Sequence, residues 1–321
     1  MVKKKVKKRK KAAAASKKKK SAPKQKKASN ISDIKKQIDA KLHISPAGAK
    51  QMMQQRKAFK AQVGKTKKGK KIAAKANELI RTGIPGFDEL LDTGIPKGIS
   101  LLVCGGPGSG KTIFCLQTLA YAASRGEKCL YMTFEESEER LKSHMRDFGW
   151  DPDKLIKEKK LYIKRFDPFE VTRQVEAMLE KAKGELLIDI EPVIFPKGFK
   201  PDRIAVDSLS AIAAAFVGKE ETYRIYIEQL FRLLEKVDAT SFLISESADA
   251  PLKLTASGVE EFLADGVIVM YNVRKGNIRE SAIEILKIRG AKFRKRIVAM
   301  RIMSGKGIVV YPEQEVFGEI E

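Results

Sequence analysis

The sequence predicts an α/β fold: a mainly parallel central sheet flanked by helices, with antiparallel strands at its C-terminal end. Three observations predict it. Apolar β-runs alternate with helical stretches from residue 99 onward, the helical patterns stop after Asp265, and charge is divided sharply along the 321 residues. Residues 1–75 hold 28 basic and two acidic side chains (Asp33 and Asp39), a net +26, whereas residues 76–321 sum to −2. These are the expected domains, a Lys-rich arm over 1–75 and an α/β body over 76–321.

Within the arm, residues 1–28 are Lys and Ala with Pro23. They hold too little apolar surface to offset ordering entropy, so disorder is expected. Ile31, Ile34, Ile38 and Leu42 then recur at helical spacing behind Asn30 or Ser32, and Ser45-Pro46 opens a second pattern through Met52, Met53, Phe59 and Val63. Two short basic amphipathic helices are expected, each marginal in isolation. Residues 64–71 (GKTKKGKK) form a linker.

The body begins its alternation with a strand at 99–104 and a helix at 111–124, then a strand at 128–133 and a helix at 136–147. A strand at 160–165, a helix at 169–183, a strand at 203–207, a long helix at 220–237 and a strand at 240–246 follow. Runs at 266–272, 280–289, 296–303 and 307–311, punctuated by glycines, are the antiparallel strands. Residues 185–202, with Pro192, Pro196 and Pro201, are an irregular insertion.

Composition excludes several classes. At 43% apolar the chain is not membrane-like, and no run approaches the roughly 18 apolar residues of a bilayer span. The Lys-rich start has no apolar core for a secretory signal and too little Arg for a transit peptide. Cys104, Cys115 and Cys129 lie in apolar segments, as buried thiols in a reducing cytoplasm would. His43 and His144 lack cysteine neighbours at zinc-ligand spacing.

Residues 105–112 read Gly-Gly-Pro-Gly-Ser-Gly-Lys-Thr, which matches G-x-x-x-x-G-K-[ST] between a strand and a helix. Glycines let backbone N–H groups close around phosphate oxygens, and the helix N-terminus adds partial positive charge. Gly105, Gly106, Pro107, Gly108, Ser109 and Gly110 form the cradle. Lys111 reaches the β- and γ-phosphates, and Thr112 offers a hydroxyl to Mg²⁺. The motif thus predicts a nucleoside triphosphate site.

Asp207 ends the apolar run 203–206, so its carboxylate points into the same crevice. It could cap the next helix, but beside the cradle the role of ordering a Mg²⁺ shell is favoured. Glu135-Glu136 follows the next strand; it could merely complement a helix dipole, or supply the base that polarises the attacking water. Periodicity does not distinguish which of the two points inward. Lys287 and Arg289 alternate on a strand, so both leave the same face. Taken alone, the pair reads first as a solvated face and second as cations aimed at phosphate.

Thr82-Gly83-Ile84-Pro85-Gly86-Phe87-Asp88-Glu89-Leu90, Gly94-Ile95-Pro96-Lys97-Gly98 and the cradle together resemble the RecA-superfamily ATPases of the KaiC family. Thr133-Phe134-Glu135-Glu136, Val206-Asp207-Ser208-Leu209-Ser210, Gly258-Val259-Glu260-Glu261-Phe262 with Asp265-Gly266-Val267, and Leu286-Lys287-Ile288-Arg289-Gly290 extend the resemblance over roughly 77–313, as one copy of the domain. The pattern is closer to the KaiC-like proteins common in archaea than to recombinases or replicative helicases. The resemblance implies a RecA-like ring, commonly hexameric, with ATP and Mg²⁺ between subunits. It also implies Glu135 and Glu136 as catalytic carboxylates, with Lys287 and Arg289 donated to the neighbouring subunit's γ-phosphate. Where the family's clock members continue with Thr-Ser-His, this chain has Ala291-Lys292-Phe293. Their tandem second domain and adjacent Ser-Thr pair are not found, which argues against an autokinase clock.

Three functions are therefore expected in descending order. The first is a Mg²⁺-dependent ATPase acting as an oligomeric, cytoplasmic switch. The second is a nucleotide-dependent module whose arm binds DNA, ribosomal RNA or another RNA with incidental hydrolysis. The third is a recombination accessory ATPase with nucleic-acid loops at 209–219 and 247–258. Those loops hold only Lys219 and Lys253 as basic residues and no aromatic platform beyond Phe216. The arm's lysines suit phosphate neutralisation, but also an anionic membrane surface, an acidic protein or simple solvation.

Overall fold

A computed structural model describes residues 78–181, 198–247, 254–255, 257–275, 277–314 and 316. The arm with its two expected helices, and most of the 185–202 stretch, lie outside the described residues. In chain order the strands are β1 (Leu79–Ile80), β2 (Ile95–Pro96), β3 (Ser100–Gly105), β4 (Cys129–Thr133), β5 (Leu161–Arg165), β6 (Arg203–Asp207), β7 (Thr240–Glu246), β8 (Gly266–Lys275), β9 (Ile278–Ile288), β10 (Val298–Met303) and β11 (Gly307–Tyr311). The α-helices are α1 (Lys111–Ser124), α2 (Glu138–Asp147), α3 (Pro152–Lys157), α4 (Pro168–Lys181), α5 (Leu209–Ala215), α6 (Glu220–Val237) and α7 (Val259–Leu263).

Strands β3 to β11 form one nine-stranded sheet in the order β11-β10-β9-β8-β3-β7-β6-β4-β5, while β1 and β2 pair separately. From β5 to β8 every pairing is parallel. From β8 to β11 every pairing is antiparallel, which is the expected change of character after Asp265.

Burial on both faces explains the central strands. Leu101 and Val103 enter one apolar layer with Phe114, Leu116 and Leu119 of α1, Leu141 of α2 and Leu155 of α3. Leu102 and Cys104 enter the other with Val171 of α4, Ile212 of α5 and the apolar face of α6. A strand apolar on both sides belongs inside a parallel sheet. On α6 that face is Tyr223, Tyr226, Ile227, Leu230 and Leu234, at helical spacing, with Glu220 and Glu221 at the positive end of the helix dipole.

Both sheet edges carry features that disfavour a further strand. Val310 of β11 gives its N–H to Pro85 O at 2.9 Å, and β5 exposes Tyr162, Lys164 and Arg165. All three cysteines are buried free thiols; burial pushes Cys104 up to about 12 and Cys115 and Cys129 upward as well.

Local chemistry shifts a few boundaries. The helix expected from 136 begins at Glu138, because Ser137 Oγ accepts Arg140 N–H and acts as its cap. The stretch 209–219, expected as a loop, contains α5 behind the cap Ser208. Helices α3 and α7 span six and five residues, too few to show a period in the sequence.

At the N-terminal end of β6, Arg203 is 2% exposed and grips Glu127 bidentately, Nε–Oε2 and Nη2–Oε1 both at 2.7 Å, while Nη1 donates to Arg81 O. Removing a buried, forked cation leaves its acceptors unpaired. Because Glu127 is partly solvated, Arg203→Ala should cost about 2–3 kcal/mol, toward the lower end of such losses, read as a lower urea midpoint with an unchanged slope.

Candidate nucleotide site

Parallel strands end on one edge, and their register decides what meets there. Gly105 pairs with both Glu246 and Met270, and Thr133 pairs with Asp207. The tips of β3, β7, β6 and β4 therefore bring the glycine turn, Glu246, Asp207 and Glu135-Glu136 around one pocket of about 470 Å³. Gly108, Gly110, Lys111, Thr112, Ile113, His144, Asp147, Phe148 and Ile302 complete its lining.

Backbone geometry explains the glycines that bound the turn. A Cβ on Gly105 would lie 2.3 Å from Met270 O, in a paired strand that cannot give way. Gly110, at φ +96°, starts α1 in the left-handed region, and no side chain caps that helix. The first-turn N–H groups of α1 are thereby available to an anion. Inside the turn, Ser109 N–H bonds Gly106 O and Asn272 Nδ2 bonds Pro107 O at 3.3 Å. Ser109 Oγ is buried with no hydrogen-bond partner.

Lys111 is 6% exposed; its Nζ donates to Gly106 O at 2.9 Å and lies 3.5 Å from Glu246 Oε1. Thr112 Oγ1 donates to Asp207 Oδ2 at 2.8 Å, and Tyr131 donates to the same oxygen at 2.5 Å. Burial raises the Asp207 carboxyl from its ordinary 3.8 to about 6, against the pull of those two donors and with help from Glu135 and Glu136. Asp207 does not cap the next helix. Ser208 does, accepting Ala211 N–H at 3.1 Å, so the carboxylate is left to the pocket. A hydroxyl and a carboxylate are hard oxygen donors, a set that fits a hydrated Mg²⁺ bound together with phosphate.

Thr133 shapes the turn after β4: its Oγ1 accepts the N–H groups of Glu135 and Glu136 and donates to Glu136 O. Both carboxylates consequently line the pocket. Glu135 is exposed and accepts the Ser208 hydroxyl. Glu136 Oε2 lies 3.3 Å from Arg140 Nε and 3.8 Å from His144 Nδ1, near enough for ion pairing though not aligned as a hydrogen bond.

Lys287 and Arg289 are elsewhere. Lys287 pairs with Val267, which pairs with Leu102, three residues back from Gly105; that is roughly 10 Å down the strands. Lys287 Nζ donates to Glu261 O at 3.0 Å, and Arg289 reaches Asp265 Oδ1 at 3.2 Å and Phe262 O at 3.4 Å. Both cations leave the same side, as expected, but they lie against the end of α7 and not in this chain's pocket. Burial first, then Arg289, lowers the Lys287 pKa.

Sequence reasoning missed Glu246, Tyr131, Thr133 and Ser208. Glu246 shows the signal that revealed Asp207, an acid ending an apolar strand. Tyr131 shows only as a phenol at an inward position of β4.

A glycine turn between strand and helix, an uncapped helix start bearing Lys and Thr, and a carboxylate on a neighbouring strand tip define a P-loop nucleotide-binding protein with a RecA-like sheet. The KaiC ATPase family model matches residues 80–315, and the chain belongs to this family. It is 36% identical over 238 residues to the circadian clock protein KaiC3 of Synechocystis, covering 73% of this chain and 46% of that protein. It is 32% identical to the circadian clock oscillator protein KaiC of Synechococcus elongatus, covering 73% and 44%. The chain thus spans less than half the length of these relatives. A crystal structure of a KaiC-like protein from the archaeon Pyrococcus horikoshii superposes with a TM-score of 0.60 at 31% identity, covering 73% of this chain and 99% of that one.

The raised Asp207 pKa makes a stability prediction. Between 3.8 and about 6 the folded state holds a proton that the unfolded state has released, so stability falls as pH rises through that window. Asp207→Asn should therefore stabilise the protein at pH 7.5 without nucleotide, by about 1–3 kcal/mol. The gain should vanish near pH 4, as thermal melting across pH will read.

Proposed function

We propose that this chain is a Mg²⁺-dependent ATPase acting as a homo-oligomeric ring switch, its chemistry in 76–321 and a polyanion-docking arm in 1–75. The observation that carries this reading is the separation within one chain of the phosphate cradle and carboxylates from the cation pair Lys287 and Arg289. Amides of 106–112 and Lys111 bind the phosphates. Thr112 and Asp207 would hold Mg²⁺, which supplies neutralising charge at the β- and γ-phosphates. Glu135 or Glu136 takes a proton from water as the water oxygen attacks the γ-phosphorus; the bond to the β-phosphate bridging oxygen breaks, giving ADP and phosphate. Lys287 and Arg289 of the next copy stabilise the charge that develops. Turnover then depends on assembly, commonly a hexamer in the resemblance drawn above.

Glu135→Gln/Glu136→Gln should lower turnover roughly 10²- to 10⁴-fold while nucleotide binding persists; unchanged turnover would remove the carboxylates from the mechanism. Lys111→Ala and Lys287→Ala chains should each be nearly inactive alone yet recover turnover when mixed, because the first supplies cations to the intact cradle of the second. No recovery on mixing argues against action between copies.

A second reading, a nucleotide-dependent nucleic-acid module with incidental hydrolysis, is favoured by the arm's net +26. Lysine clusters neutralise phosphate by counterion release, so affinity falls steeply with salt. Removal of 1–75 should abolish salt-sensitive binding to RNA and DNA and leave turnover intact. Binding that survives the deletion, or ignores salt, overturns the arm's role.

A further inference from the structure

Tyr131 carries a polar atom that the core around it does not require. Its ring is fully buried on β4, in the apolar layer beneath α1, and phenylalanine would fill the same volume. A phenol hydroxyl taken out of water is costly unless paired. Here it ends 2.5 Å from Asp207 Oδ2, the oxygen that also accepts from Thr112 Oγ1 at 2.8 Å. Both donors fall on Oδ2. Asp207 is thus fixed in rotation, and Oδ1 is the oxygen left for a hydrated cation. Because the Thr112 proton is committed to Asp207, the lone pairs of Oγ1 are turned outward. Asp207 also lies close enough to Glu135 and Glu136 to feel their charge, which makes a dedicated neutral donor valuable.

We propose that Tyr131 is a positioning residue for divalent-metal recognition: its hydroxyl holds Asp207, and through Asp207 the Thr112 hydroxyl, in the orientation that receives Mg²⁺ with the nucleotide. This rests on reading Thr112 and Asp207 as the metal-facing pair.

The test compares full-length wild type, Tyr131→Phe and Asp207→Asn in binding a fluorescent, non-hydrolysable ATP analogue by anisotropy, first in EDTA and then across a Mg²⁺ titration. Thermal melting confirms that the isosteric phenylalanine leaves the fold intact. Affinity in EDTA should agree within about twofold between Tyr131→Phe and wild type. The Mg²⁺ concentration giving half the affinity gain should rise roughly 10- to 150-fold in Tyr131→Phe, the span of one lost hydrogen bond to a charged group. Asp207→Asn should lose most of the gain. A wild-type Mg²⁺ response in Tyr131→Phe, with the gain lost in Asp207→Asn, overturns the proposal and leaves the metal pair standing. Equal weakening of Tyr131→Phe in EDTA and in Mg²⁺ makes the hydroxyl a general support of the cradle and also overturns it. A wild-type Mg²⁺ response in Asp207→Asn removes the metal pair itself, and the proposal with it.

Discussion

The pairing of β3 between β7 and β8 places the polar side chains of the pocket. It sets Gly105 opposite Glu246 on one side and Met270 on the other, so the chain leaves the sheet where backbone already crowds both flanks. Only a residue without Cβ fits at that point. A register slip of one residue would turn Leu101 and Val103 away from α1 and carry Lys111 and Thr112 off the tip of β6. Packing of the core and aim of the pocket side chains are therefore one constraint.

The pocket's charge balance follows from that constraint. Asp207, Glu135, Glu136, Asp147 and Glu246 line one pocket with the single lysine of the cradle. A triphosphate entering there meets like charge at short range, where the attenuated dielectric makes repulsion strong. Hydrogen bonds from Tyr131, Thr112 and Ser208 spread the negative charge without cancelling it. The site thus calls for further positive charge from outside the chain's own pocket. In the proposed function, a divalent cation and a neighbour's Lys287 and Arg289 would be two chemically distinct ways to meet that need.

Much of the fold was legible in the sequence. The helix Glu220–Val237 and the strand Thr240–Glu246 fall where their periodicity put them, because each buries a continuous face. Helices α3 and α7 were hidden by brevity, and the cap at Ser137 was hidden by the acidic pair before it. In the site, the cradle was legible because its residue types have few other uses side by side. The relation of Tyr131 to Asp207 was not, since it depends on β4 lying next to β6, and neighbouring strands in the sheet are far apart in sequence. Placing Lys287 and Arg289 away from the strand tips likewise required the antiparallel return of β9, which composition does not reveal.

The two margins of the sheet bear on how copies of this chain would associate in the proposed ring. At one margin the backbone of β11 is engaged by the turn at Pro85; at the other, β5 presents Lys164 and Arg165, charges that discourage an incoming strand. Both features disfavour joining copies by lengthening the sheet. In the ring proposed above, contacts made by loops and side chains could loosen and re-form without breaking any strand pairing, so each subunit would stay folded while its relation to the next one changed.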